Sequence, residues 1–254
     1  MMHEAKYVEV NGARLSVCDA GRGHPVVFLH GNLSRWQHWG PQLAAIPARF
    51  RCVAFDQRGY GASSPARGTS VTAMAADTAA LCAALEIVHA YVVGLSLGGA
   101  VAQAVALRHP QLVAGLIVAA PPVFQSSTER WEVDAAQVRA LVTAAFSEEM
   151  RRSQPDLTAR VIDECLETDL DILRNFDTAD LDGYDQSRIA APTLVIAGEL
   201  DVLAPPPPLR DLAATIPHAE YLEFAGTGHW LNQEAADRFN DAILRFIAAR
   251  PCAR

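Results

Sequence analysis

A strand-length apolar run, Tyr91 to Gly94, passes directly into Gly94-Leu95-Ser96-Leu97-Gly98-Gly99 and then into an apolar helical stretch, Ala100 to Arg108. Few chain paths accept that order. A strand that turns into a helix within a few residues places Ser96 at the apex of a crowded corner, where Gly94 and Gly98 leave room for the backbone and the serine hydroxyl stands clear of the sheet. The helix that follows directs its N-terminal amides and the positive end of its dipole at the same point, favouring negative charge beside the hydroxyl. As a purely structural turn, the same segment makes Ser96 a helix cap.

Other apolar runs of strand length surround this corner: Val26 to Leu29, Cys52 to Phe55, Leu116 to Ala119 and Leu194 to Ala197. None alternates with polar residues, so each reads as a strand buried on both faces, as in a parallel sheet. An opening hairpin is expected around Asn11-Gly12, joining Tyr7 to Val10 with Arg14 to Cys18 at the sheet edge. Helical spacing lies between the strands. It is clearest from Val71 to Leu85, with Ser70 as N-cap, and in a final helix from Gln233 to Arg250 carrying Ala236, Phe239, Ile243, Phe246 and Ile247 on one face. Strands and helices in alternation predict a right-handed, doubly wound α/β fold with a mostly parallel sheet.

The rhythm breaks once. From Phe124 to Ser187 there is helical spacing and no convincing strand, so residues 124–187 are expected to be a helical lid inserted after the sixth strand. Residues 1–123 and 188–254 then form the core domain. The Pro205 to Pro208 run reads as a stiff local turn.

Composition limits the partners. The 254 residues have a formal charge of −8, and Glu129 to Asp185 alone hold fifteen acids against six arginines. Nucleic acid and anionic membrane are poor partners for such a surface, because phosphate binding needs clustered Lys and Arg. No apolar run approaches the ~18 residues of a membrane span. The five cysteines are dispersed without a C-x-x-C pair, so buried free thiols in a reducing, cytoplasmic compartment are expected. Neither a metal nor a cofactor is called for, and a small molecule is the expected substrate.

A serine hydroxyl needs a base within hydrogen-bond reach and a third group that holds the base in its tautomer. His229 follows the strand-like Tyr221 to Phe224 and the flexible Gly226-Thr227-Gly228, which places it after the last strand. Asp201 and Glu199 both emerge where the run Thr193 to Ala197 ends, and Asp201 is preferred as the acid, with Glu199 the alternative. Two amides are expected to hold a developing oxyanion: that of Leu97, and that of Asn32 in His30-Gly31-Asn32-Leu33. Pocket candidates are Leu33, Trp36, Phe124, Trp131, Phe146, Phe176 and Trp230.

These pieces, together with Asp56-Gln57-Arg58-Gly59-Tyr60-Gly61-Ala62-Ser63, come in an order that resembles the α/β-hydrolase fold family along nearly the whole chain. Ser96-Leu97-Gly98-Gly99-Ala100-Val101-Ala102-Gln103 is similar to the 3-oxoadipate enol-lactonase and small bacterial carboxylesterase group. The resemblance implies a serine hydrolase acting on an ester or lactone, with Asp56 and Arg58 as buttresses. A carboxylate-bearing substrate would call for a lid arginine such as Arg139 or Arg174. Carbon-carbon hydrolases and cofactor-free perhydrolases share the serine triad, and a non-catalytic binding protein of the same fold is the reading from another class. Dehalogenases and epoxide hydrolases carry aspartate at the elbow, and Ser96 argues against both.

Overall fold

A computed structural model describes residues 4–65, 69–122, 134–174 and 184–250. One eight-stranded sheet runs through it: β1 (Lys6–Val10), β2 (Ala13–Gly21), β3 (Pro25–Leu29), β4 (Arg51–Phe55), β5 (Ala90–Leu95), β6 (Val113–Ala119), β7 (Thr193–Gly198) and β8 (Glu220–Phe224). The spatial order is β1-β2-β4-β3-β5-β6-β7-β8, and β2 alone runs against its neighbours. β3, β5 and β7 are almost wholly buried, which is why the sequence shows them as unbroken apolar runs. The hairpin closes as expected, with positive φ at both Asn11 (48°) and Gly12 (72°).

Among the described residues the helices are α1 (Gly40–Ala45), α2 (Val71–Ala84), α3 (Leu97–Arg108), four between β6 and β7, then α8 (Pro206–Thr215), α9 (Leu231–Glu234) and α10 (Ala236–Ala248). Ser70 caps α2 by accepting from the Ala73 amide at 3.2 Å. The four between β6 and β7 are α4 (Ala135–Ala144), α5 (Glu148–Ser153), α6 (Pro155–Leu166) and α7 (Asp171–Arg174), and no strand occurs there among the described residues. No helix among the described residues is long and apolar enough to cross a membrane.

Two local expectations need correction. Pro206 to Pro208 do not form a separate turn; they make the first turn of α8, where amide protons have no helical partner and proline loses nothing. The last helix does not begin at Gln233 either. It is broken at Ala235 (φ −126°, ψ 44°), and the preceding turn, α9, directs the Glu234 carboxylate at the amides of Gly228 (3.2 Å) and Ser147 (3.1 Å).

Candidate active site

The C-terminal ends of β3, β5, β6 and β7 lie at one edge of the sheet, and the candidate residues follow those ends. Ser96 joins β5 to α3 with φ 53° and ψ −124°, a conformation held by its amide donating to Ala119 O (2.9 Å) and its carbonyl accepting from Gly99 N (2.7 Å). A Cβ on Gly94 would overlap the Gly98 carbonyl, and one on Gly98 would overlap that of Leu29, so both positions require glycine. Ser96 is half-buried while its neighbours on either side are buried.

The loop after β3 approaches this corner directly. A Cβ on Gly31 would stand 3.1 Å from Ser96 Cβ, so the chain passes Ser96 at van der Waals range. Neither the Asn32 amide nor the Leu97 amide donates to a protein acceptor among the described residues. Buried His30 fixes the loop: its Nδ1 hydrogen donates to Gly31 O (2.7 Å) and its Nε2 accepts from Gln57 N (2.9 Å). Desolvation pushes the His30 pKa down to about 3, which keeps the ring neutral and able to do both. Tyr60 Oη donates to Asn32 Oδ1 (2.6 Å), which also accepts from Leu33 N (3.0 Å), and Leu33 turns through φ 56°.

His229 and Asp201 meet after β8 and β7. Asp201 Oδ2 lies 2.8 Å from His229 Nδ1, and Asp201 Oδ1 accepts from the amides of Leu203 (2.8 Å) and Ala204 (2.9 Å). A carboxylate so occupied accepts the Nδ1 proton and leaves His229 Nε2 bare. Both side chains are buried. Glu199 faces elsewhere, its carboxylate taking the Gly226 amide (2.8 Å). Only β6 separates β5 from β7, so the Ser96 and Asp201 corners stand about two strand spacings apart, roughly 10 Å.

The remaining expectations divide. Leu33, Trp36, Phe146 and Trp230 are buried; Phe146 stacks on Trp230 (centroids 5.5 Å, 11° between planes), and the indole nitrogens of Trp36 and Trp230 have no hydrogen-bond partner among the described residues. Phe124, Trp131 and Phe176 lie outside the described residues. Arg139 is turned to solvent, where it pairs with Asp163 (2.8 Å), and Arg174 ends α7. Asp56 accepts from Trp36 N (2.8 Å) and Ala62 N (2.9 Å), and Arg58 pairs with Asp77 (2.7 Å), so both brace loops around the site. Among the described residues no group of three His, Cys, Asp or Glu side chains is gathered to hold a metal.

Sequence reasoning gave His38 no role, yet it is buried between Ser34 Oγ (2.7 Å) and Glu164 Oε2 (2.8 Å). Tyr60 was missed as well. Ser34 and His38, four residues apart, offered a faint local signal; Glu164 is 126 residues from His38 and offered none.

A strand-corner serine, a histidine held by an aspartate after the later strands and a parallel sheet with helices on its faces define an α/β-hydrolase. The chain belongs to the alpha/beta hydrolase family, whose model matches residues 26–242. Among solved structures it is similar to the enol-lactonase from Burkholderia xenovorans LB400 (TM-score 0.87, 28% identity, 96% of this chain and 100% of that one). It is similar also to a thermophilic esterase from Thermogutta terrifontis (TM-score 0.86, 25% identity, 98% and 100%). BpoC of Mycobacterium tuberculosis, whose name describes it provisionally as a non-heme bromoperoxidase, is 30% identical over 92% of this chain and 98% of its own length.

Proposed function

We propose that this protein is a serine hydrolase that cleaves a carboxylic ester or lactone of a small molecule through an acyl-enzyme. The observation that carries the reading is the 2.8 Å pair of His229 Nδ1 with an Asp201 carboxylate already anchored by two amides, at the same sheet edge as the strained Ser96 corner. His229 Nε2 takes the Ser96 proton as Oγ attacks the carbonyl carbon. The amides of Asn32 and Leu97 receive the oxyanion, and Asp201 stabilises the imidazolium. Collapse of the tetrahedral intermediate breaks the bond to the leaving oxygen, which takes the proton from His229. Water, deprotonated by His229, then attacks the acyl-enzyme; the acid leaves and Ser96 regains its proton.

In this reading residues 124–187 form a lid over Ser96. Leu33, Trp36, Phe146 and Trp230 supply apolar wall, with Phe124 and Trp131 as further candidates. A panel of p-nitrophenyl esters of graded chain length and several lactones, run on wild type and Ser96→Ala, tests the proposal. Turnover of at least one substrate should vanish in Ser96→Ala, and a fluorophosphonate should label Ser96 in folded wild type. Absence of labelling and of turnover across the panel would favour a binding protein of the same fold.

The name of the BpoC relative favours a second reading, perhydrolysis, in which hydrogen peroxide replaces water in attacking the acyl-enzyme and a peracid leaves. Peracid formation from a short-chain acid and peroxide, lost in Ser96→Ala and faster than ester hydrolysis, would put that reading first.

A further inference from the structure

The Asn32 loop is tied down on both sides of its sharp corner at Leu33. Before the corner, Tyr60 holds the Asn32 side chain; after it, Ser34 Oγ lies 2.7 Å from His38 Nδ1. His38 in turn reaches out of the core, its Nε2 2.8 Å from Glu164 Oε2 on α6. The hydrogen placement follows from chemistry. A carboxylate only accepts, so Nε2 carries the proton, and the bare Nδ1 accepts the Ser34 hydroxyl hydrogen. Burial holds the His38 pKa below its ordinary value and keeps the ring neutral, as that tautomer requires, while the His38 N–H holds the Glu164 carboxyl below its own.

Arg35 strengthens the same tie, donating through Nη2 to Glu164 O (2.8 Å) and Glu167 Oε2 (2.8 Å). The charged groups around His38 are thus Glu164, Arg35 and Arg160. Trp230, adjacent to His229, presents its ring edge-on to His38 at 5.3 Å, and the His38 carbonyl accepts from the side chains of Asn232 (2.8 Å) and Gln233. A groove of about 470 Å³ opens on this junction, lined by Gln37, Leu157, Arg160 and Gln233 beside His38 and Glu164. Ser34 and His38 are almost wholly buried, whereas Glu164 is 28% exposed. Loss of the Glu164 contact therefore needs no unfolding of the core.

We propose that Ser34, His38 and Glu164 form a positioning relay through which α6 sets the conformation of the Asn32 loop. It rests on the preceding reading only for its consequence, that oxyanion stabilisation at Asn32 depends on where α6 sits. None of the three residues touches the reacting atoms. They act through the backbone between Gly31 and Ser34, where small displacements of a donor strongly change its effect on rate.

The test compares wild type with Glu164→Ala, Glu164→Gln, Ser34→Ala, the double variant Ser34→Ala/Glu164→Ala and the control Asp163→Ala, which breaks only the exposed pair with Arg139. Two readouts are taken well below each thermal midpoint: hydrogen exchange of the segment 30–39, and kcat and KM on the best p-nitrophenyl ester. Glu164→Ala should speed exchange of that segment and lower kcat about tenfold, equivalent to about 1.4 kcal/mol, with KM within about twofold. Glu164→Gln, whose amide oxygen still accepts from Nε2, should recover most of both losses. Ser34→Ala should match Glu164→Ala, the double variant should lose no more than either, and Asp163→Ala should behave as wild type.

Unchanged exchange in Glu164→Ala and Ser34→Ala overturns the relay, as do additive losses in the double variant or a lowered thermal midpoint with full kcat. An inactive wild type whose loop exchange still responds to Glu164 overturns the hydrolase reading and leaves the relay standing.

Discussion

Asp201 shows how much one carboxylate can settle. Its Oδ1 is filled by the Leu203 and Ala204 amides and its Oδ2 faces His229 Nδ1, so the side chain has one orientation and the imidazole one tautomer. Asp201→Asn keeps the shape but lets an amide NH₂ face Nδ1, which selects the tautomer protonated on Nε2 and removes the base. Turnover should fall by roughly 10⁴-fold with the fold intact, measured as kcat on an ester that wild type hydrolyses. Glu199→Gln, at a side chain that accepts from the Gly226 amide, should leave kcat within about threefold, as loss of one loop contact costs about 1 kcal/mol or less at an exposed site. A larger loss in Glu199→Gln than in Asp201→Asn would reverse the assignment. In the sequence both acids follow the run Thr193 to Ala197, and their order along the chain does not separate Asp201 from Glu199. What separates the two acids is backbone geometry, since the Leu200 amide donates to Thr227 O (2.9 Å) and the Glu199 side chain turns to Gly226.

Among the elements, the strands were legible and the ties between elements were not. β3, β5 and β7 are buried on both faces, so burial alone selects apolar residues at every position and the run is its own signal. The break at Ala235 and the prolines inside α8 follow from where Glu234 and the chain entry must point, which residue periodicity does not encode. The helices between β6 and β7 illustrate the same limit. Their content was readable, but not that they clasp both halves of the site: Ala145 O accepts the His229 amide (2.8 Å) and Phe146 stacks on Trp230, while Glu164 reaches His38. At the far edge, Asp19 binds Arg51 through two hydrogen bonds of 2.9 Å each and Lys6 at 2.8 Å, joining the antiparallel pair β1 and β2 to β4. The Arg51 hydrogen bond holds the Asp19 carboxyl below its ordinary value, so its contribution is present above the unfolded-state value near 4 and is lost as pH falls through the folded value. Asp19→Asn should cost about 1 kcal/mol in urea unfolding at neutral pH, and the difference from wild type should shrink as pH falls below the unfolded-state value near 4. A pH-independent difference would assign Asp19 a packing role instead.

For the molecule as a whole, acid is the perturbation that reaches both the fold and the site. The formal charge is −8 at neutral pH and the sequence pI is about 5.4, so acidification, by protonating histidines and the first carboxylates, removes the net charge that keeps molecules apart. Solubility should be poorest near pH 5.4, and stability is therefore best compared at pH 7.5 and pH 4.5, on either side of it. His30 makes that comparison informative. Its folded value near 3 lies below the roughly 6.5 of an unfolded histidine, so between these limits the unfolded chain binds the extra proton. The stability His30 provides is thus fully present above about pH 6.5 and drains away as pH falls toward 3; His38, held low by burial, contributes with the same sign. His30→Gln removes the titration while keeping a polar side chain, but one amide cannot satisfy both Gly31 O and Gln57 N as the imidazole does. The variant should be less stable than wild type by about 1–3 kcal/mol at pH 7.5, the cost of an unmet buried partner. The deficit should narrow at pH 4.5, because wild type alone pays for keeping that ring neutral. Urea midpoints at the two pH values measure this, and a deficit equally large at both would mean that His30 already titrates normally in the folded protein. Because Gly31 lies against Ser96, the same variant should also lose turnover at pH 7.5, which would link acid stability to the loop proposed to receive the oxyanion.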